Sequence, residues 1–228
     1  MVAIGGIVKF STVDYPGYVV ASIFTIGCNM RCGYCHNPEL VLPEQFADTI
    51  PEEEILEFLA SRVGKLDGVA ISGGEPTMQA DLPQFITRIK AMGFRVKLDT
   101  NGTNPGMLRQ LIADKLIDFV AMDIKGPLEK YQQIAARPVD LAAIKECVHL
   151  IKTIPHEFRT TIVAGQLAVG DFEQIGQLVK GAQRYALQNF VAGRTVSPQF
   201  AGAVSFTADE MAATQQIMQR YVAECVVH

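Results

Sequence analysis

Between residues 19 and 192 the chain alternates strand-length apolar runs with amphipathic segments of helical length, and no other feature narrows its possible folds as much. Repetition of that kind builds β-α units, whose consecutive strands lie parallel with helices packed over them. The spacing predicts strands at 19–26, 68–72, 95–99, 118–123, 157–163 and 187–191. It predicts helices at 52–62, 82–92, 105–113, 141–151 and 172–185, and a last one at 208–222 within a C-terminal segment spanning 207–223. Helix starts are marked by Thr49-x-x-Glu52 and Thr207-x-x-Glu210, which match the capping box, and by Asp81 and Asp171 where an N-cap belongs. Six units fall short of the eight that close a β/α barrel, so the expected α/β fold is an open, partial (β/α)6 barrel whose gap could admit a large substrate. Residues 1–18, with a turn at Asp14-Tyr-Pro-Gly17, are expected to add an edge strand or hairpin ahead of the barrel. With no internal repeat, linker or low-complexity tract, residues 1–228 read as a single domain.

Composition excludes several function classes. Hydrophobic residues make up 49% and charged residues 19% of the chain, enough to bury a core. The longest apolar runs have strand length, well short of the ~20 residues of a membrane helix, so no membrane insertion is expected. A formal charge of −4 without a basic block leaves no electrostatic footprint for nucleic acid. Of five cysteines, three are clustered, which is not the even framework of a secreted disulfide protein. The N-terminus lacks the pattern of a signal peptide, so a cytoplasmic location is expected. Cys147, in an apolar-periodic helical segment, and Cys225, near the C-terminus, read as ordinary residues.

The clustered cysteines form the run Cys28-Asn-Met-Arg-Cys32-Gly-Tyr-Cys35. Three thiolates at this spacing converge on one point, and soft ligands of this kind select an iron–sulfur cluster, zinc or copper(I). A cubane cluster held by Cys28, Cys32 and Cys35 would keep one iron without a protein thiolate, open to a substrate or cofactor. Other readings stand beside it. Cys32-Gly-Tyr-Cys35-His36 is formally a haem-attachment or redox C-x-x-C sequence, but neither explains Cys28. A three-cysteine zinc site could recruit His36, although adjacent Cys35 and His36 crowd a tetrahedral centre.

In β-α folds the functional groups belong on loops leaving the C-terminal strand ends, and the unusual residues of this sequence fall there. Cys28 follows the first strand and Gly73-Gly74-Glu75-Pro76 the second. Asp99-Thr100-Asn101-Gly102 ends the third, and Asp123-Ile-Lys125-Gly126 ends the fourth. The two glycines let backbone approach a ligand, and Glu75 offers a carboxylate to an ammonium group, as an amino-acid moiety would require. Read alone, Gly-Gly-Glu-Pro is a tight turn and Asp99 an Asx-type turn. Asp123 and Lys125, two apart on one strand face, could simply pair. In a cluster site, Lys125 could instead bind a carboxylate, while Asp99 and Asp123 bind a ribose or hold a small cation against that carboxylate.

With these motifs in place, the chain resembles the radical S-adenosylmethionine enzymes, and among them the activases of glycyl radical enzymes. Cys28, Cys32 and Cys35, with Tyr34 before the last cysteine, match the superfamily signature. The Gly-Gly-Glu-Pro, Asp-Thr-Asn-Gly and Asp-x-Lys segments match the activase pattern in order and location. The opening Gly6-Ile-Val-Lys-Phe-Ser-Thr-Val-Asp-Tyr-Pro-Gly17 and Cys35-His-Asn-Pro-Glu-Leu40 are most similar to the activating proteins of anaerobic ribonucleoside-triphosphate reductase. The resemblance implies a radical SAM partial barrel and one 4Fe–4S cluster on the three cysteines, with S-adenosylmethionine chelating the open iron. Reductive cleavage of that cofactor gives methionine and a 5′-deoxyadenosyl radical that abstracts a hydrogen atom. No catalytic residue is implied beyond cluster and cofactor. Tyr34 would lie against adenine, Gly73, Gly74 and Glu75 at the methionyl amino group, and Asp123 and Lys125 at the methionyl or ribose portion. Asp99 and Thr100 would add a contact to the cofactor or to a monovalent cation, and Arg159 matches an arginine near the cofactor. The histidine that some pyruvate formate-lyase activases supply from the sixth strand has no counterpart in Gln188-Asn-Phe-Val-Ala-Gly-Arg194. No cysteine lies between Cys35 and Gly73, so no second cluster is expected and an outside reductant such as flavodoxin would supply the electron. The implied partner is a glycyl radical enzyme, most closely anaerobic ribonucleoside-triphosphate reductase. The competing readings are a radical enzyme acting on a small molecule, and a non-enzymatic zinc or iron–sulfur protein.

Overall fold

The computed structural model describes residues 1–46 and 48–228. The chain packs as two compact units, one of Met1–Asn29, Glu39–Thr100 and Gly106–Val120, the other of Met30–Pro38, Asn101–Pro105 and Ala121–His228. Both are built from strands and helices in alternation, with the strands mostly parallel, as the apolar periodicity predicts.

In chain order the first elements are β1 (Ile4–Ser11), β2 (Val20–Thr25), α1 (Pro38–Val41), α2 (Glu52–Ala60), β3 (Gly68–Gly73), α3 (Leu82–Ala91), β4 (Arg95–Thr100), α4 (Pro105–Ala113) and β5 (Phe119–Asp123). β1 runs antiparallel to β2, the edge strand expected of the N-terminal stretch, while β2, β3 and β4 pair in parallel. Their runs are apolar on both faces because both faces are covered: Val20, Ala21 and Ile23, then Val69 and Ile71, then Val96 and Leu98 are buried. α3 places Leu82, Phe85, Ile86 and Ile89 on one buried stripe, the helical period read from the sequence. Beneath the sheet, Tyr15 packs with Val20 and Ala70, flanked by Tyr18 and Phe119. Burial pushes the Tyr15 hydroxyl up to about 12.

Two expected caps fail here, both through the N-terminal segment. The residue before α2 is Pro51, without a side-chain cap, and the Glu52 carboxylate accepts the Val2 amide instead of closing a box with Thr49. Asp81 precedes α3 but makes no capping bond; its carboxylate pairs with the Met1 ammonium. In each case a distant partner outcompetes the local one.

The remaining elements are α5 (Tyr131–Ala135), α6 (Leu141–Ile151), β6 (His156–Ile162), α7 (Asp171–Val179), β7 (Arg184–Asn189), α8 (Ala208–Met218) and β8 (Glu224–Val227). β6, β7 and β8 pair in parallel, and the Ile124 amide just past β5 donates to the Arg159 carbonyl of β6 at 2.8 Å. α7 ends at Val179, not at 185, because Gly181 turns the chain at φ +85° and releases Arg184 onward to β7. The last predicted strand therefore lies three residues earlier than 187. Asp171 opens α7 inside the helix; its carboxylate takes the Ala168 amide nearby and the Lys130 ammonium from 41 residues upstream. Thr207 and Glu210 do form the predicted capping box, and Asp140, unanticipated, caps α6 through the Ala142 and Ala143 amides. α8 stops at Met218 rather than 222, and the chain continues into β8, a strand not predicted. Among the described residues, no helix is long and apolar enough to cross a membrane.

Candidate active site

The first unit gathers its polar groups at the C-terminal ends of β3 and β4. Gly73 sits at φ +112°, and a Cβ there would lie 2.3 Å from the Thr25 amide nitrogen. A Cβ on Gly74 would stand 2.0 Å from the Gly27 carbonyl oxygen. The space is taken by hydrogen bonds from the Gly74 amide to Thr25 (2.8 Å) and from the Glu75 amide to Gly27 (2.7 Å). The two glycines thus bind this loop to the segment that leads into Cys28. That close backbone approach is what only glycine allows.

Glu75 is fully buried. Its Oε1 accepts the Thr100 hydroxyl at 2.7 Å, the Thr77 amide at 3.2 Å and the Thr77 hydroxyl. Three donors on one oxygen stabilise an ionised carboxylate. Glu75 and Thr100, expected at the site on separate grounds, are therefore joined. Thr77 was missed in the sequence; its signal was a hydroxyl two residues beyond a carboxylate, the spacing of a local turn bond. Asp99 pairs with Lys97, also missed, though Val-Lys-Leu-Asp alternation puts both on one face. Cys28 lies half-buried in this unit.

The second unit carries the other two cysteines. The Cys35 amide donates to the Cys32 carbonyl at 3.0 Å, closing a tight turn that buries Cys32 and leaves Cys35 half-buried. A strap after β7 fastens this turn: the Val196 amide donates to Cys35 and the Ser197 amide to Gly33, each at 2.9 Å. Phe200 of the same strap fills the space a Gly33 side chain would need, 2.5 Å from its Cβ position. Tyr34 is buried with its ring in T-shaped contact with Phe200, and the Lys125 ammonium stands 6.0 Å from the ring centroid. His36 stacks on Phe190, centroids 5.0 Å apart, and its Nε2 contacts the Val191 carbonyl at 2.8 Å. That contact and the stacking fix the ring within the loop.

Asp123, at the end of β5, is held from two sides. The Lys125 ammonium lies 2.9 Å from one carboxylate oxygen, and the Arg159 Nε donates to the other. Burial alone would raise the Asp123 pKa; the Arg159 and Lys125 charges reverse it and hold the carboxyl well below its usual range. Burial likewise opposes charge on Lys125, but the Asp123 anion outweighs it and raises the ammonium pKa. With a third of its side chain exposed, Asp123 is the most accessible of the three. The sequence supplied all three residues, but only the fold brings Arg159 to Asp123. Near the C-terminal end of β7, Gln188 accepts the Thr161 hydroxyl at 3.3 Å.

Burial pushes the Cys32 thiol up, with the Lys125 charge opposing it. A metal binding there would displace a proton, and the neighbouring ammonium favours the thiolate left behind. None of the cysteines forms a disulfide, so Cys28, Cys32 and Cys35 retain the soft donor chemistry that suits an iron–sulfur cluster. The three are divided between the two units, and among the described residues no three metal-binding side chains are already gathered for a metal ion.

The chain matches the model of the Radical SAM superfamily over residues 22–178. It is 37% identical over 234 residues to a protein of Methanocaldococcus jannaschii whose name assigns it to the glycyl-radical enzyme activating enzymes, a match covering 98% of this chain and 95% of the relative. A pyruvate formate-lyase-activating enzyme of Listeria monocytogenes is 36% identical over 128 residues, half of this chain and 49% of that one. Among solved structures, Streptococcus suis SuiB bound to S-adenosylmethionine superposes with a TM-score of 0.66 at 15% identity, over 89% of this chain and 48% of SuiB. That likeness is one of fold.

Proposed function

Because the chain belongs to the radical SAM superfamily and, within it, to the glycyl-radical-enzyme activating enzymes, we propose that it abstracts a hydrogen atom from a backbone glycine of anaerobic ribonucleoside-triphosphate reductase. What supports the reading above all is the 37% identity to a named activating enzyme across 98% of the chain. Family membership implies a 4Fe–4S cluster and S-adenosylmethionine. When bound, the cluster and S-adenosylmethionine would together supply reductive cleavage of the sulfonium–C5′ bond and with it the hydrogen-abstracting chemistry.

The protein's part is binding and placement. Cys28, Cys32 and Cys35 would hold the cluster through their thiolates. Tyr34 offers a buried ring face to adenine. Glu75, held in place by Thr77 and Thr100, receives the methionyl ammonium beside the side-chain-free backbone of Gly73 and Gly74. Lys125 and Arg159 fix Asp123, so that its carboxylate and the Lys125 ammonium meet the methionyl and ribose groups already oriented. The monovalent cation is the part of the set the residues do not fit, since Lys97 pairs with Asp99. The electron comes in the cytoplasm from an outside reductant such as flavodoxin.

Low-temperature electron paramagnetic resonance of the anaerobically reconstituted, dithionite-reduced protein tests the cofactor set. A reduced-cluster signal that changes on adding S-adenosylmethionine is expected; zinc uptake, or a signal indifferent to the cofactor, overturns the mechanism. Incubation with the reductase should then give a glycyl radical doublet. A doublet only with another glycyl radical enzyme reassigns the partner. No doublet with any, alongside cofactor cleavage, favours a small-molecule substrate.

A further inference from the structure

Midway along β4, between buried Val96 and Leu98, stands Lys97 with 3% of its surface exposed. Across the parallel ladder its partner is Ala70 of β3, whose single methyl leaves room for the lysine stem. Two residues on, and so on the same face, Asp99 pairs with the Lys97 ammonium, its own side chain 14% exposed. Burying an ammonium carries a desolvation cost, and a buried ion pair is commonly no more stabilising than well-packed apolar residues of the same volume. Stability therefore gives no reason for a lysine here. What the pair does is keep a positive charge against the carboxylate at the C-terminal end of β4, next to Thr100 and the Glu75 it bonds.

We infer that the Lys97 ammonium is a built-in cation, occupying Asp99 in place of a sodium or potassium ion, so that this chain binds S-adenosylmethionine without a monovalent metal. The inference rests on the reading of the site given above. A metal ion brought to the same carboxylate would stand beside the ammonium and be repelled where charge is poorly screened. The tethered charge, by contrast, is present at any salt composition. Lys97 is a positioning residue: it acts through Asp99.

The test is equilibrium binding of S-adenosylmethionine to the reconstituted protein, at fixed ionic strength, in chlorides of N-methylglucamine, sodium and potassium. Wild-type affinity should agree within about twofold in all three, whereas Lys97→Met should bind about tenfold more weakly in N-methylglucamine and recover in sodium or potassium. Sodium-23 line broadening, which needs neither turnover nor cluster, should appear with Lys97→Met and not with wild type. If Lys97→Met fails to fold, Lys97→Arg keeps the charge and should bind as wild type in every salt. A wild-type or Lys97→Arg affinity that rises with sodium or potassium overturns the inference and leaves the site reading intact. So does a folded Lys97→Met indistinguishable from wild type in every salt. No binding in any salt overturns both.

Discussion

A single carboxylate with two cations shows how this chain prepares a polar site. Asp123 and Lys125 could be paired from the sequence, because residues two apart on a strand share a face; Arg159 could not be assigned to them, because its approach depends on how β6 lies beside β5. Lys125→Met leaves Asp123 with Arg159 alone and removes a charged hydrogen bond. Chemical denaturation of the protein should read a loss of about 1.5–3 kcal/mol. Glycines divide in the same way. The pair at 73 and 74 was legible as a place of close approach, but the sequence could not say that the approaching group is the chain's own backbone. Gly74→Ala puts a methyl against the Gly27 carbonyl, which no side-chain rotation relieves, and should cost at least about 2 kcal/mol. Gly193→Ala and Gly202→Ala, where an added Cβ meets nothing within 4 Å, should stay within about 0.5 kcal/mol of wild type.

At the level of elements, one capping pattern occurs twice and works once. Thr207 and Glu210 satisfy each other's backbone amides at the start of α8, with Glu210 held below its ordinary range by the Thr207 amide and hydroxyl. Thr207→Ala removes that cap and should lower stability by about 1 kcal/mol in denaturant titration. The twin at Thr49 fails because Glu52 is claimed by the Val2 amide, a contact between residues fifty positions apart. Local sequence offers a cap; tertiary structure decides whether the acid is available to make it. Strands with buried apolar runs were located to within a residue or so, since burial on both faces leaves a dense signal. β7 was placed late because the helix before it was extended through Gly181. β8 escaped because Glu-Cys-Val-Val is too short to stand out from the tail after α8.

For the molecule as a whole, the alternation of periods was enough to give a mostly parallel α/β architecture, and the unusual strand-end residues marked where Glu75 meets Thr100 and Asp123 meets Lys125. The grouping into two compact units follows no break in composition along the chain. Global stability also carries a pH signature. His156 is buried, its Nδ1 donating to Ile154 (2.7 Å) while Nε2 accepts the Gln183 amide (3.1 Å), an arrangement open only to the neutral ring. Burial lowers its pKa below the ordinary value near 6.5. The unfolded imidazole thus binds its proton more readily, so the contribution is complete above about pH 6.5 and declines as pH falls below it. Denaturation between pH 7 and 5.5 should show stability dropping no more steeply than about 1.4 kcal/mol per pH unit from this group, and His156→Gln should flatten that drop.

The strap that crosses the Cys32–Cys35 turn bears on how the protein is assembled in time. A zinc finger has no shape until its metal arrives, because the ligands are all that hold the loop together. Here amides contributed by residues more than a hundred and fifty positions downstream already hold the turn by its carbonyls, and an aromatic ring seals its back. The turn that carries two of the three thiols is thus shaped by the protein's own contacts before any iron is delivered. For those two thiols, loading a cluster is insertion into a segment that already has its shape, and not the event that creates it.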